Sequence, residues 1–136
     1  MPLDVAALES SLDLVTPRGS QLMDEFYSRL FAAEPSLRPL FPDDMAEQKR
    51  KFLATLVLLR WSLRDLEALS PQLRALGARH AGYGARPEHY PIVARALIEA
   101  MAALAGEAFT DHHERAWQAV LQTVTRRMLD GAVEAA

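Results

Sequence analysis

The sequence contains no cysteine, which excludes disulfides, thiolate metal sites, a cysteine nucleophile and any prosthetic group tethered through a Cys-x-x-Cys-His motif. Charge of one sign is also scarce. The 15 Lys and Arg against 18 Asp and Glu leave a net charge of −3, so there is no basic surplus to attract a phosphate backbone, and nucleic acid is not an expected partner. Long apolar runs are missing. The longest, Phe52 to Leu59, falls well short of the roughly 20 residues that span a bilayer, and the opening Met-Pro-Leu-Asp lacks a basic stretch followed by an apolar one. No membrane partner is expected, and the expected compartment is the cytoplasm.

What is present suits one globular domain over residues 1–136. Half of the 136 residues are hydrophobic, and a chain of this size can bury roughly two thirds of its unfolded surface around one core. The apolar residues recur at helical spacing: Leu22, Met23, Phe26, Tyr27, Leu30 and Phe31 form one stripe at about 3.6 residues per turn. No segment shows the alternation of a half-buried strand. Pro, Gly, Asp and Thr punctuation predicts helices over about 3–15, 18–33, 43–60, 69–81, 87–105 and 110–131, with a short helical turn at about 35–40. The fold class is therefore all-α. Asp43 and Asp44 are placed to cap the middle helix, Pro87 suits a first helical turn, and Thr110 can accept from the free amides of the last helix. Gly82, Gly84 and Gly106 mark stops. The last two helices carry apolar stripes, Tyr90, Val93, Leu97 and Met101 on one and Trp117, Val120, Leu121, Val124 and Met128 on the other, which predicts a packed antiparallel pair. Pro35 to Pro42 reads as a tight corner.

His80 is the residue with the most chemistry to offer. Leu76 lies four positions earlier, so the two share a helical face directed inward. A neutral imidazole there could ligate a metal, and spacing alone leaves equally open a histidine hydrogen-bonded within a helical core. Tyr27 taken alone fits an amphipathic core tyrosine, and Gln48 taken alone fits a surface residue early in a helix. The run Asp111, His112, His113 and Glu114 is a weak metal candidate, because adjacent residues on a helix diverge by about 100° and cannot converge on one ion. His89 is expected to be structural or on the surface.

The motifs gain meaning together. Phe-Tyr-x-x-Leu-Phe at 26–31, Pro-x-x-Arg-x-Leu-Phe at 35–41, Gln48, Leu-Gly-x-Arg-His at 76–80 and Pro-x-His-Tyr at 87–90 occur in order. This set, running from about Leu12 to Met128, resembles the bacterial single-domain globins, including the Vitreoscilla type, the globin domain of flavohemoglobins and the neuroglobin-like branch. The resemblance implies a three-over-three helical sandwich holding noncovalent heme b (iron protoporphyrin IX). His80 would be the proximal iron ligand, Gln48 and Tyr27 the distal residues facing a bound gas, and Phe41 the aromatic wedged against the heme at the corner. Phe52, one turn after Gln48, would also face the pocket, where the family more often has an aliphatic residue. Leu76, Val93 and Leu97 would add apolar lining, and Arg79 and Lys51 are candidates to meet the heme propionates.

Tyr90 matches a tyrosine that, in flavohemoglobins and the Vitreoscilla type, joins the proximal histidine to a late-helix glutamate. Here the glutamate position falls on Ala132, and Glu134 lies two residues on, about 200° around a helix. A strongly electron-donating His80 is therefore not expected. The resemblance implies reversible binding of O2, with NO and CO as further ligands, and slow oxygen release because Tyr27 and Gln48 donate to a ligand of partial negative charge. Nitric oxide dioxygenation is a linked activity that would need a separate reductase, since this sequence carries no flavin or nicotinamide domain. A gas sensor or protein-interaction module on the same fold is the alternative. Oligomeric state is not set by the sequence.

Overall fold

The structure is a computed structural model describing residues 3–135. Its helices are α1 (Val5–Val15), α2 (Gly19–Ala33), α3 (Ala46–Ser62), α4 (Ser70–Gly82), α5 (His89–Ala105) and α6 (Asp111–Ala135). Short 3-10 turns occupy Thr16–Arg18, Pro35–Leu40, Leu63–Leu69 and Gly106–Ala108, and no strand occurs among the described residues. No helix among them is long and apolar enough to cross a membrane.

The helix ends follow from local donors and acceptors. Asp4 Oδ1 accepts from the Ala7 N–H at 3.1 Å and caps α1. α3 begins at Ala46, three residues later than the acidic pair suggests. Asp44 Oδ1 does accept from the Ala46 N–H at 3.0 Å, whereas Asp43 offers its carbonyl to Arg38 at 3.1 Å and belongs to the corner. α5 begins at His89, not Pro87, because His89 Nδ1 accepts the Arg86 N–H at 3.0 Å and so closes the preceding turn. Thr110 Oγ1 accepts from the His113 N–H at 3.4 Å at the start of α6. Gly106, at φ 60°, ends α5 in a conformation open chiefly to glycine.

The core is built where α1, α2, α5 and α6 meet. Leu8, Leu12, Leu22, Phe26, Leu30, Leu97, Met101, Trp117 and Val120 are all buried there. The one buried indole is satisfied: Trp117 Nε1–H donates to Ser11 Oγ at 2.7 Å, and Ser11 Oγ–H has the Ala7 carbonyl at 2.8 Å. The 3-10 segment Leu63–Leu69 was not anticipated between the third and fourth helices. It is two short turns separated by a kink at Asp65 (φ −144°, ψ 62°), and its Leu63, Leu66 and Leu69 pack on the core.

The expected α5–α6 pair is not the main packing of either helix. α6 lies chiefly against α4, and α5 chiefly against α2. Glycine permits the first of these. A Cβ on Gly77 of α4 would stand 1.8 Å from the Met128 carbonyl oxygen, and one on Gly131 of α6 would stand 1.9 Å from that of Arg74. The two backbones therefore touch reciprocally, with no room for any side chain. Gly77→Ala and Gly131→Ala should each cost about 2–4 kcal/mol through forced separation of α4 and α6. Thermal unfolding checks this, and Gly82→Ala, where an added Cβ meets nothing within 4 Å, should leave the midpoint nearly unchanged.

Candidate functional site

A cavity of about 620 Å³ opens between α3, α4, α5 and α6, within the roughly 300–1,000 Å³ typical of cofactor and small-molecule sites. α3 contributes Gln48, Lys51, Phe52, Leu56 and Leu59; α4 contributes Leu73, Leu76, Arg79 and His80; α5 contributes Tyr90, Val93 and Leu97; α6 contributes Leu121, Val124 and Met128. No carboxylate among the described residues lines it. The α4 face was partly legible, since Leu76 and His80 share one face by helical spacing and both line the space. The α6 residues were readable only as an apolar stripe.

His80 sits on this wall with a defined tautomer. Its Nδ1 lies 2.8 Å from the Leu76 carbonyl oxygen. A carbonyl only accepts, so Nδ1–H donates and Nε2 keeps its lone pair. Burial, reinforced by the positive charge of Arg79, pushes the imidazole pKa below its ordinary value, against the opposing pull of the Leu76 hydrogen bond. The outcome is a neutral imidazole with one free basic nitrogen, the form that binds a metal.

Gln48 and Tyr27 meet directly. Gln48 Nε2–H donates to the Tyr27 hydroxyl oxygen at 3.1 Å, leaving the phenolic proton available to another acceptor. Tyr27 is only 4% exposed and is not itself part of the cavity lining; it stands one layer behind, reached through Gln48. Its ring packs edge-on against Phe26 and Phe41, at centroid distances of 4.7 and 5.8 Å. Phe41 likewise lies outside the lining, set against Tyr27 and Phe31. Phe52 lines the cavity and leans on Phe26 at 4.9 Å and on Tyr27 at 6.3 Å.

Lys51 and Arg79 are exposed at the cavity edge, and neither side chain forms an ion pair or hydrogen bond among the described residues. His89, expected to point away, instead lines the cavity while capping the Arg86 amide. Tyr90 lines it too, half-buried, and burial pushes its pKa upward. Glu134 is directed elsewhere, with a carboxylate oxygen 3.9 Å from Arg74 Nε. His112 and His113 diverge as adjacent helical residues must: His112 contacts the Asp4 carboxylate, and His113 meets Thr110 and Ser10.

Helices stacked around an apolar cavity lined by His80, whose tautomer leaves Nε2 free, fit a heme pocket of the globin type. The comparisons agree: the Globin family model matches residues 24–128, and the chain belongs to the globin family. A flavohemoprotein of Vibrio cholerae is 30% identical over 128 residues, covering 90% of this chain and 32% of the relative. The chain thus spans about a third of the length of such relatives. Among solved structures, a bacterial globin from Campylobacter jejuni superposes with a TM-score of 0.83 at 20% identity, covering 96% of this chain and 94% of that one. A Pseudomonas aeruginosa protein described as structurally highly homologous to a human hemoglobin gives 0.81 at 26% identity, covering 94% and 97%. The fold is accordingly the all-α globin fold.

Burial raises the Tyr27 pKa, and the Gln48 hydrogen bond only partly opposes this. A phenol whose folded value lies above its unfolded value of 10.0 adds stability below that pH and loses it as pH rises through the folded value. Alkaline titration of tyrosinate absorbance should therefore show Tyr27 and Tyr90 ionising late, and Tyr27→Phe should remove part of the late phase. Loss of only the early phase would contradict the placement of Tyr27.

Proposed function

We propose that this chain is a heme-binding globin that reversibly binds O2, and also NO and CO, with slow oxygen release. The observation that carries the reading is His80, a neutral imidazole whose Nδ1–H is committed to Leu76 and whose Nε2 is free on the wall of an apolar cavity. The residues present fit noncovalent heme b. His80 would hold the iron, Leu56, Leu76, Val93 and Leu97 would supply apolar surface for the macrocycle, and Lys51 and Arg79 would neutralise the propionates in a lining that holds no competing carboxylate. When bound, heme supplies an iron with an open coordination position for small gases.

The side chains set what happens at that position. Gln48 is a poor metal ligand and a good amide donor, and its bond to Tyr27 keeps both groups oriented. Donation from the Gln48 amide to a ligand of partial negative charge is worth about 1.5–3 kcal/mol, and Tyr27, one layer behind, acts by holding that amide in place. Carbon monoxide stays nearly neutral and gains less. The apolar walls exclude water, which strengthens these bonds. His80 donates to a backbone carbonyl and not to a carboxylate, so its imidazole remains neutral and a modest electron donor.

The likeness to flavohemoproteins supports nitric oxide dioxygenation as a linked activity. Oxygen and nitric oxide combine to give nitrate, each turnover consumes one electron, and a reductase supplies it. Purified, heme-loaded protein should show heme absorption bands that shift when carbon monoxide is added to the reduced form, and His80→Ala should alter them. Tyr27→Phe should speed oxygen dissociation about tenfold or more. Absence of stoichiometric heme, or an oxygen off-rate unchanged by Tyr27→Phe, would overturn this reading and its distal assignment respectively.

A further inference from the structure

Because α5 and α6 do not close on each other, a second cavity of about 540 Å³ lies between their outer faces. Its accessible apolar surface comes from Ala94 on α5 and from Leu121 and Leu129 on α6, over a floor that includes the buried Ile98. Arg95 and Arg126, one from each helix, are among the lining residues, and no carboxylate is. Both arginines are exposed. Arg95 Nε has Glu99 only at 3.9 Å, the outer limit of an ion pair. Arg126 forms none among the described residues, although its neighbour Arg127 is bound to Glu67 at 2.7 Å. In a chain of net charge −3, an apolar groove edged by two cations is complementary to an amphiphile of opposite sign. Thr125 and Gln122 add polar groups beside the arginines.

The groove also adjoins the heme cavity. Tyr90, Ala94, Leu121 and Thr125 line both spaces, so a single layer of side chains separates them. The Tyr90 hydroxyl in that layer makes no hydrogen bond among the described residues, which leaves it free to shift when the groove fills.

We propose that the α5–α6 groove binds an aliphatic monocarboxylate of medium chain length. Its carboxylate lies at Arg95 and Arg126, and its chain lies along Ala94, Leu121 and Leu129. Occupancy alters the larger cavity through Tyr90. Binding in the groove stands independently of the heme reading; only the coupling rests on it.

Calorimetric titration of the heme-loaded protein with decanoate, below its aggregation concentration, tests the proposal, with 1-decanol and decyltrimethylammonium as neutral and cationic controls. Saturable one-to-one binding of decanoate is expected, weaker for the alcohol and absent for the cation. The Arg95→Gln/Arg126→Gln double variant should bind about tenfold more weakly while melting at the parent temperature, and Leu129→Glu, at a half-buried position, should abolish binding. A small heme-band shift should accompany saturation. Equal affinity in the double variant, equal affinity for the alcohol, or loss of binding on heme loading would overturn the proposal, the last by placing decanoate in the heme cavity. Sedimentation showing a dimer that decanoate does not dissociate would assign the groove to a second copy of the chain. If the protein takes up no heme, the same arginine comparison on the heme-free chain still decides the groove, so the two readings fail separately.

Discussion

α4 rests on α6 backbone to backbone, and the site depends on that contact. Gly77 and Gly131 remove the two side chains that would hold these helices apart. Leu76 precedes Gly77 by one position, so the face bearing Leu76 and His80 lies about 100° around the helix from the contact. Fixing one face against α6 turns the other toward the cavity. The hydrogen bond from His80 Nδ1–H to Leu76 then fixes the ring within the helix, leaving Nε2 as the free nitrogen. Helix placement, ring orientation and protonation state follow from one another, and none requires a charged partner in the interior.

The distal side is organised differently. There the constraint is aromatic packing, with Phe26, Phe31, Phe41 and Phe52 arranged around Tyr27 and the hydroxyl reaching out to Gln48. A rigid hydrophobic shell holds one polar pair, which is how a donor can be aimed at a ligand without a flexible side chain searching for it. On the proximal side the absence of a glutamate beside Tyr90 leaves a backbone carbonyl as the acceptor. On the proposed reading, the two sides would hold a gas through distal donation more than through electron push from His80.

Much of this was legible in the sequence because helical periodicity is a direct imprint of burial. The stripes on the second, fifth and sixth helices, the corner at 35–40 and the histidine face of the fourth helix could all be read from spacing. Boundaries moved where a side chain intervened: His89 caps the turn after Pro87, so α5 starts later than the proline suggests. The stretch Leu63–Leu69 is broken by a kink at Asp65 into turns too short to carry an α-helical period. The pairing of α5 with α6 failed because an amphipathic stripe says that a face is buried and not against which helix. Tyr27 and Phe41 sit one layer behind the cavity, a depth that sequence spacing does not encode. His89 lines the cavity because its cap fixes its ring.

The central claim is that His80 presents Nε2 as a neutral ligand to iron. Resonance Raman spectroscopy of the ferrous, ligand-free protein tests it most directly through the iron–imidazole stretching band. The account requires a band in the range of a neutral imidazole, lost in His80→Gly and restored there by added free imidazole. A band that survives in His80→Gly without added imidazole would place the iron on another residue and contradict the account.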